Sequence, residues 1–281
     1  MRYSGNSLPE VLRDRSENQG ETLAFRFLAD GTSVQASDWT YRSLAAAAAA
    51  VAAELETNAG QRVVLAVDPG LHYVAVLLGG LAAGATIVPS FPPVGRRATI
   101  RFLSILTDCS PDVIIGSSWL AAEAEKLADE LPPSAHRARW LFVDDAFFQR
   151  PGQPPALPSR RLDPALLQYT SGSTGDPKGI TLTHDNIISN CLALQHHMGV
   201  VPGRVGCSWL PPYHDMGLMG TIMLALHGGW PLVMLSPIHF VQRPYRWLKA
   251  ITDYRVTGHG AGGGTRHQAG HRGRELRSRR P

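Results

Sequence analysis

Cysteine is scarce: Cys109, Cys191 and Cys207 are the only three in 281 residues. An odd count without C-x-x-C spacing excludes a disulfide framework and a structural zinc site, and suits reduced thiols filling small core positions in a cytosol. Long apolar runs are missing too. The longest uncharged one, Val74 to Val88, is broken by three glycines and falls short of the roughly 20 residues that cross a bilayer. It reads as a buried helix followed by a buried strand, and no integral membrane segment is expected. The opening residues mix charges from the second position onward, with no apolar centre of the secretory type, so the expected compartment is cytoplasmic.

A basic excess is absent from most of the chain. The net charge is +4, but residues 256–281 hold six arginines and one glutamate, which leaves residues 1–255 at −1. The body has no basic excess, and no nucleic-acid partner is expected. Residues 256–281 also have seven glycines and no aromatic residue. That composition predicts disorder and a stretch unable to extend a sheet. Gly/Arg/His/Pro strings are what GC-rich coding yields in a shifted frame, and the tail is read as such an artefact. A basic arm, or a metal tract at His259, His267 and His271, are the other readings.

From about residue 40 the sequence alternates between two periods. "TYRSLAAAAAAVAAELE" predicts a helix capped by Thr40. "RVVLAVD", "ATIVPS", "DVIIGS" and "WLFVDD" are short β-branched runs bounded by Gly, Pro or Asp, with helices predicted near 71–83, 96–107 and 118–130. This pattern predicts an α/β fold of mostly parallel sheets flanked by helices. A Pro-rich linker, 151–163, is expected to separate a first α/β subdomain (1–150) from a partial second one (164–255). In the second, "THDNIISNCLALQHHMG" predicts a helix capped by Thr183, "RVGCSWL" and "PLVML" predict strands, and 238–254 reads as mostly helical despite Pro244. His196 and His197, adjacent on a helix, point in different directions and make no paired ligand site.

The chemistry is concentrated in "YTSGSTGDPKGI" (169–180). Gly172, Gly175 and Gly179 allow a sharply turned backbone with exposed N–H groups, Thr170, Ser171, Ser173 and Thr174 add hydroxyls, and Lys178 adds positive charge. Together they make a cradle for phosphate oxygens. Neither G-x-x-x-x-G-K-[ST] nor G-x-G-x-x-G is present, which excludes a Walker A loop and a dinucleotide fingerprint.

"YTSGSTGDPKGITLTHDNI" resembles the phosphate-binding signature of the adenylate-forming enzymes. "VVLAVDPGLHYV", "PSFPPVGRR" and above all "WLPPYHDMGLMG" (209–220) are similar to one branch, the fatty acyl-AMP ligases. The resemblance runs over about residues 5–255 and implies the large N-terminal domain of that fold, incomplete. It implies that a fatty acid carboxylate attacks the α-phosphate of ATP with Mg²⁺ present, releasing pyrophosphate and leaving an acyl-adenylate for an acyl carrier domain of a lipid or polyketide synthase. Thr170 to Gly175 and Gly179 would then hold phosphates, Lys178 and His214 would be catalytic, and Trp209, Asp215, Met216 and Gly217 would meet the substrate, with Met219 and Met223 as further lining or plain core. No residue is assigned to metal. Because the resemblance stops in mid-domain, the chain reads as a truncated ligase without useful activity alone. Its apolar helix residues Ile222, Leu224 and Leu226 are expected to lack partners. The alternatives are a non-catalytic remnant of a disrupted gene, or a fatty-acid–CoA ligase.

Overall fold

A computed structural model describes residues 7–55, 60–149, 156–158, 160–171, 177–199 and 203–260. The first helix, α1 (Leu8–Asn18), starts where the Ser7 side chain accepts from the Glu10 amide, and it buries Leu8, Val11 and Leu12. Next come β1 (Leu23–Leu28), β2 (Ala36–Thr40) and α2 (Tyr41–Leu55), capped by Thr40, whose hydroxyl accepts from the Ser43 amide. Four strands then alternate with helices: β3 (Arg62–Ala66), α3 (Leu71–Ala83), β4 (Thr86–Pro89), α4 (Arg96–Cys109), β5 (Val113–Ser117), α5 (Leu120–Lys126) and β6 (Arg139–Val143). A short α6 (Asp145–Phe148) precedes the β7 (Leu166–Ser171) and β8 (Pro177–Leu182) hairpin, and α7 (His184–Met198) follows behind a Thr183 capping box. After β9 (Gly206–Ser208), a helix runs through α8 (Asp215–Gly217), a π-helical segment (Leu218–Met223) and α9 (Leu224–Gly228). The chain continues through β10 (Leu232–Leu235), α10 (Pro237–Gln242), α11 (Tyr245–Asp253) and β11 (Gly258–Gly260). α10 and α11 are separate helices because Pro244 cannot continue the first.

Two sheets result, ordered β6-β5-β3-β4-β7-β8 and β11-β9-β10-β1-β2. Their neighbours pair in parallel except at β7–β8 and β1–β2. The fold class expected from the alternation is the one observed. The expected division at the Pro-rich linker is not. β1 pairs with β10, Phe25 opposite Leu232, and β7 pairs with β4, Ile87 opposite Leu166, so each sheet draws strands from both sides of that linker. Parallel pairing needs a crossover, and nothing in a crossover requires partners to be close in sequence. The sheet also continues past Arg255, against expectation: Gly258–Gly260 pair with Gly206–Ser208. Backbone hydrogen bonds suffice for an edge strand of three residues, two of them glycine. Residues 261–281 lie outside the described residues.

A single apolar core joins the facing sides of both sheets, with Val63, Leu65 and Ile115 on one and Phe25, Leu232 and Met234 on the other. Between them lie α1, α2, α3, α7 and the 215–228 helix; α4 and α5 cover the outer face of one sheet and α11 that of the other. Ile222, Leu224 and Leu226 are 1–3% exposed, so the expectation that they lack partners is corrected. The alanine run of α2 and Gly79 of α3 let these two helices approach closely. A Cβ at Gly79 would stand 2.5 Å from the Ala48 carbonyl oxygen. All three cysteines are buried and unpaired, and burial pushes their thiols up to about 12.

The central layer holds unusual polar groups. Arg15 donates from Nε to the Leu226 carbonyl at 2.8 Å and from Nη2 to the His227 carbonyl at 2.7 Å, satisfying the end of α9. His227 Nδ1 meets Gln195 Nε2 at 2.5 Å, and burial, reinforced by the charge of Arg15, holds its pKa below the ordinary histidine value. Burial lowers that of His184 likewise. The unfolded chain therefore takes up these protons near pH 6.5 while the folded chain resists them, so stability falls as pH drops through that value towards the lowered folded pKa values. The melting temperature is expected to be lower at pH 5.5 than at pH 7.5, and His227→Gln should flatten the dependence. Equal melting temperatures at both pH values would contradict this.

Candidate functional site

The hairpin places its polar residues by register. Thr170 stands opposite Lys178 and Tyr169 opposite Gly179, with Ser171 paired to Pro177 at the mouth of the turn. Lys178 is exposed. The turn itself, with Gly172, Ser173, Thr174 and Gly175, lies outside the described residues. Gly179 sits within β8 rather than in the turn. A Cβ there would stand 2.8 Å from Leu167 Cδ1 and 3.2 Å from Tyr169 Cζ, so its absence admits those two side chains. The Tyr169 hydroxyl donates to the Asp108 carboxylate on the last turn of α4, and burial first, with that bond, raises its pKa and keeps it a donor. The base of the hairpin is thereby tied to α4.

The second element is the loop between β9 and α8. Leu210 N donates to Ser208 Oγ at 3.2 Å, the buried Tyr73 hydroxyl of α3 donates to the Pro212 carbonyl at 3.1 Å, and the Tyr213 ring meets Phe91 edge-on at 5.6 Å. His214 N-caps α8 with its side chain 65% exposed and Nδ1 2.5 Å from Asp215 Oδ1. Asp215 Oδ1 also accepts from the Met216 amide at 2.6 Å, whereas the same amide is 3.4 Å from His214 Nδ1. The shorter contact assigns the proton to Nδ1 and leaves Nε2 as the nitrogen available to a ligand. Gly217 is required by the loop folding back on it: a Cβ would stand 2.1 Å from the Pro211 carbonyl oxygen. The π-helical segment begins immediately after, with Thr221 Oγ1 donating to the Gly217 carbonyl at 2.5 Å. Such segments recur at functional sites.

The remaining predicted residues scatter. Trp209 stacks on Phe240 of α10, with centroids 3.8 Å apart and planes at 7°. Met216 is exposed, Met219 is partly buried against the central core and Met223 is fully within it. Burial thus rises along the helix from Met216 to Met223. The His214 loop, which follows a strand of one sheet, reaches the other sheet at Phe91, on which Tyr213 rests: Phe91 follows β4, and β4 is the neighbour of β7. Residues that follow β1, β3, β5 and β6 line a cleft of about 930 Å³, with Trp39, His72 and Phe148 in its wall, so both sheets open their carboxyl ends on a common side. Ligands of open parallel sheets gather at that side. Sequence reasoning did not single out this cleft, although "VDPG", "GSS" and "VDD" each place polar residues directly after a strand. Among the described residues, no three His, Cys, Asp or Glu side chains converge to hold a metal ion. They fit no dedicated Mg²⁺ cage.

A profile of the AMP-binding enzyme family matches residues 12–261. The chain belongs to that family. It is 34% identical over 259 residues to the medium-chain fatty acid–acyl-carrier-protein ligase JamA of Moorena producens, covering 90% of this chain and 43% of JamA. To the long-chain fatty acid–AMP ligase FadD26 of Mycobacterium tuberculosis it is 31% identical over 262 residues, covering 89% and 44%. The fold superimposes with a TM-score of 0.79 and 30% identity on the fatty acyl-adenylate ligase of Legionella pneumophila solved with acyl adenylate and pyrophosphate, covering 91% of this chain and 44% of that one. The chain thus spans under half the length of the relatives it matches, and the matched residues run six past the Arg255 limit expected from the motifs.

Gly217→Ala tests the loop geometry. With the clash falling on backbone rather than on a movable side chain, it is expected to cost about 1–3 kcal/mol, read as a lowered midpoint in urea unfolding. An unchanged midpoint would show that the loop does not press on α8 as described.

Proposed function

We propose that this chain supplies the phosphate-holding and carboxylate-holding part of a fatty acyl-AMP ligase. The observation that supports the reading is an exposed histidine beside Asp215 in a loop whose Tyr213 rests on Phe91, the residue after the strand that neighbours β7, together with an exposed lysine opposite Thr170 in the β7–β8 hairpin. Two anions must meet for a carboxylate oxygen to bond to the α-phosphorus while the bond to pyrophosphate breaks. That reaction needs positioning and charge compensation more than covalent help. Lys178, opposite Thr170 at the mouth of the turn, faces the departing pyrophosphate. His214 would meet the fatty acid carboxylate as an imidazolium, donating from Nε2 while the Asp215 carboxylate accepts from Nδ1, and Gly217 holds the loop that presents it. ATP and Mg²⁺ are the cosubstrate and ion of this reading, and an acyl carrier domain is its acceptor. Adenine and ribose contacts are not identified among the described residues. Imperfect alignment can forfeit much of the roughly 7–11 kcal/mol that positioning supplies, so the 281-residue chain should turn over poorly alone.

In a protein completed to the length of the relatives, Lys178→Ala and His214→Ala are each expected to slow acyl-adenylate formation about a hundredfold. Lys178→Ala should do so for every acid with weakened use of ATP, and His214→Ala with ATP binding intact. Pyrophosphate release over a range of fatty acids, with ATP binding measured separately, checks both. Small, equal effects would contradict the assignment.

A further inference from the structure

Between Asp68 and Asp108 the sequence contains no acidic residue, yet it contains Arg96, Arg97 and Arg101. All three fall in the first two turns of α4, whose first turn has no acidic side chain. Positive charge there opposes the helix dipole, so it does not serve helix stability. Arg96 and Arg97 are exposed, and among the described residues none of the three stands in an ion pair. Beside them Val94 is 67% and Ile100 59% exposed, although the buried residues of α4, among them Phe102, Ile105 and Leu106, pack on the sheet. Arg101 lies over the Phe91 ring at 5.4 Å, and the same ring carries Tyr213, the residue before His214. An apolar pair framed by uncompensated guanidinium groups is therefore continuous with the candidate site.

We propose that this patch, Val94, Arg96, Arg97, Ile100 and Arg101, docks an acidic carrier domain that receives the acyl group, an inference that rests on the ligase reading above. The acceptor's thiol sulfur bonds to the acyl carbonyl carbon of the adenylate, the bond from that carbon to the phosphate oxygen breaks, AMP leaves with the electron pair, and the thiol proton passes to solvent. On the ligase reading that carbon is held beside His214, and the thiol reaches it on an arm from a domain docked nearby. Carboxylates on the carrier and the phosphodiester of its arm complement three arginines that stand in no ion pair among the described residues. A membrane surface fits less well, because the exposed apolar part comprises two side chains rather than a helix face.

The test is the affinity of the 281-residue chain for a purified, acidic holo acyl carrier protein, followed by fluorescence anisotropy, with phosphatidylglycerol vesicles as a second probe. Arg96→Glu with Arg97→Glu should weaken carrier binding roughly tenfold or more, as should raising salt from about 0.05 to about 0.5 M. The neutral pair Arg96→Gln with Arg97→Gln should fall between, and Arg137→Glu, exposed elsewhere, should do nothing. Far-UV circular dichroism confirms that the variants fold. No carrier binding by the parent chain, equal loss with Arg137→Glu, an unaltered Kd in the reversed variant, or loss of vesicle rather than carrier binding would each overturn the proposal. Failure of the ligase reading appears separately, as absent adenylate formation in the completed protein whatever the carrier's Kd.

Discussion

The shared helical layer is the constraint on which the rest depends. Two parallel sheets each have an apolar face that must be covered, and one set of helices covers both. That arrangement works only if α2 and α3 pack at close range, which the alanine run and Gly79 permit. Once the layer is set, the two sheets are locked with their carboxyl ends on a common side, and everything that follows those strand ends is delivered to one surface. The Phe91 segment follows β4 on the same principle, and the His214 loop meets it there through Tyr213.

Within that frame, local contacts refine positions to the scale chemistry needs. Tyr73, a fully buried residue of the central layer, reaches through its hydroxyl to hold the Pro212 carbonyl. Tyr169 does the same for the hairpin through Asp108. Both phenols are pushed by burial above their ordinary pKa and stay donors. The Pro212 carbonyl and the β7 strand are thus tied to the core by hydrogen bonds from residues that themselves belong to the core.

Much of this was legible before any coordinates. The strand and helix alternation announced the fold class, α3 and α7 appear where periodicity and the Thr183 cap placed them, and the phosphate signature and the His214 stretch pointed to the candidate site. What was not legible is non-local. β1 and β2 went unread because their short segments gain meaning only from β10, some two hundred residues on. The expected subdomain boundary failed for the same reason. Gly217 looked like part of a substrate motif, whereas its necessity comes from Pro211 folding back onto it. Gly258–Gly260 carries no strand signal, since its pairing rests on backbone alone. The differing burial of Met216 and Met223 is likewise set by what the rest of the chain packs on that helix.

The central claim is that one ligand bridges the hairpin and the His214 loop. Isotope-edited NMR of the histidine and lysine side chains, titrated with a non-hydrolysable fatty acyl-adenylate analogue, tests this most directly. The account predicts that the His214 ring and Lys178 signals move together at the same ligand concentration while His72, in the wall of the large cleft, stays still. Movement of His72 with His214 and Lys178 unchanged would contradict it.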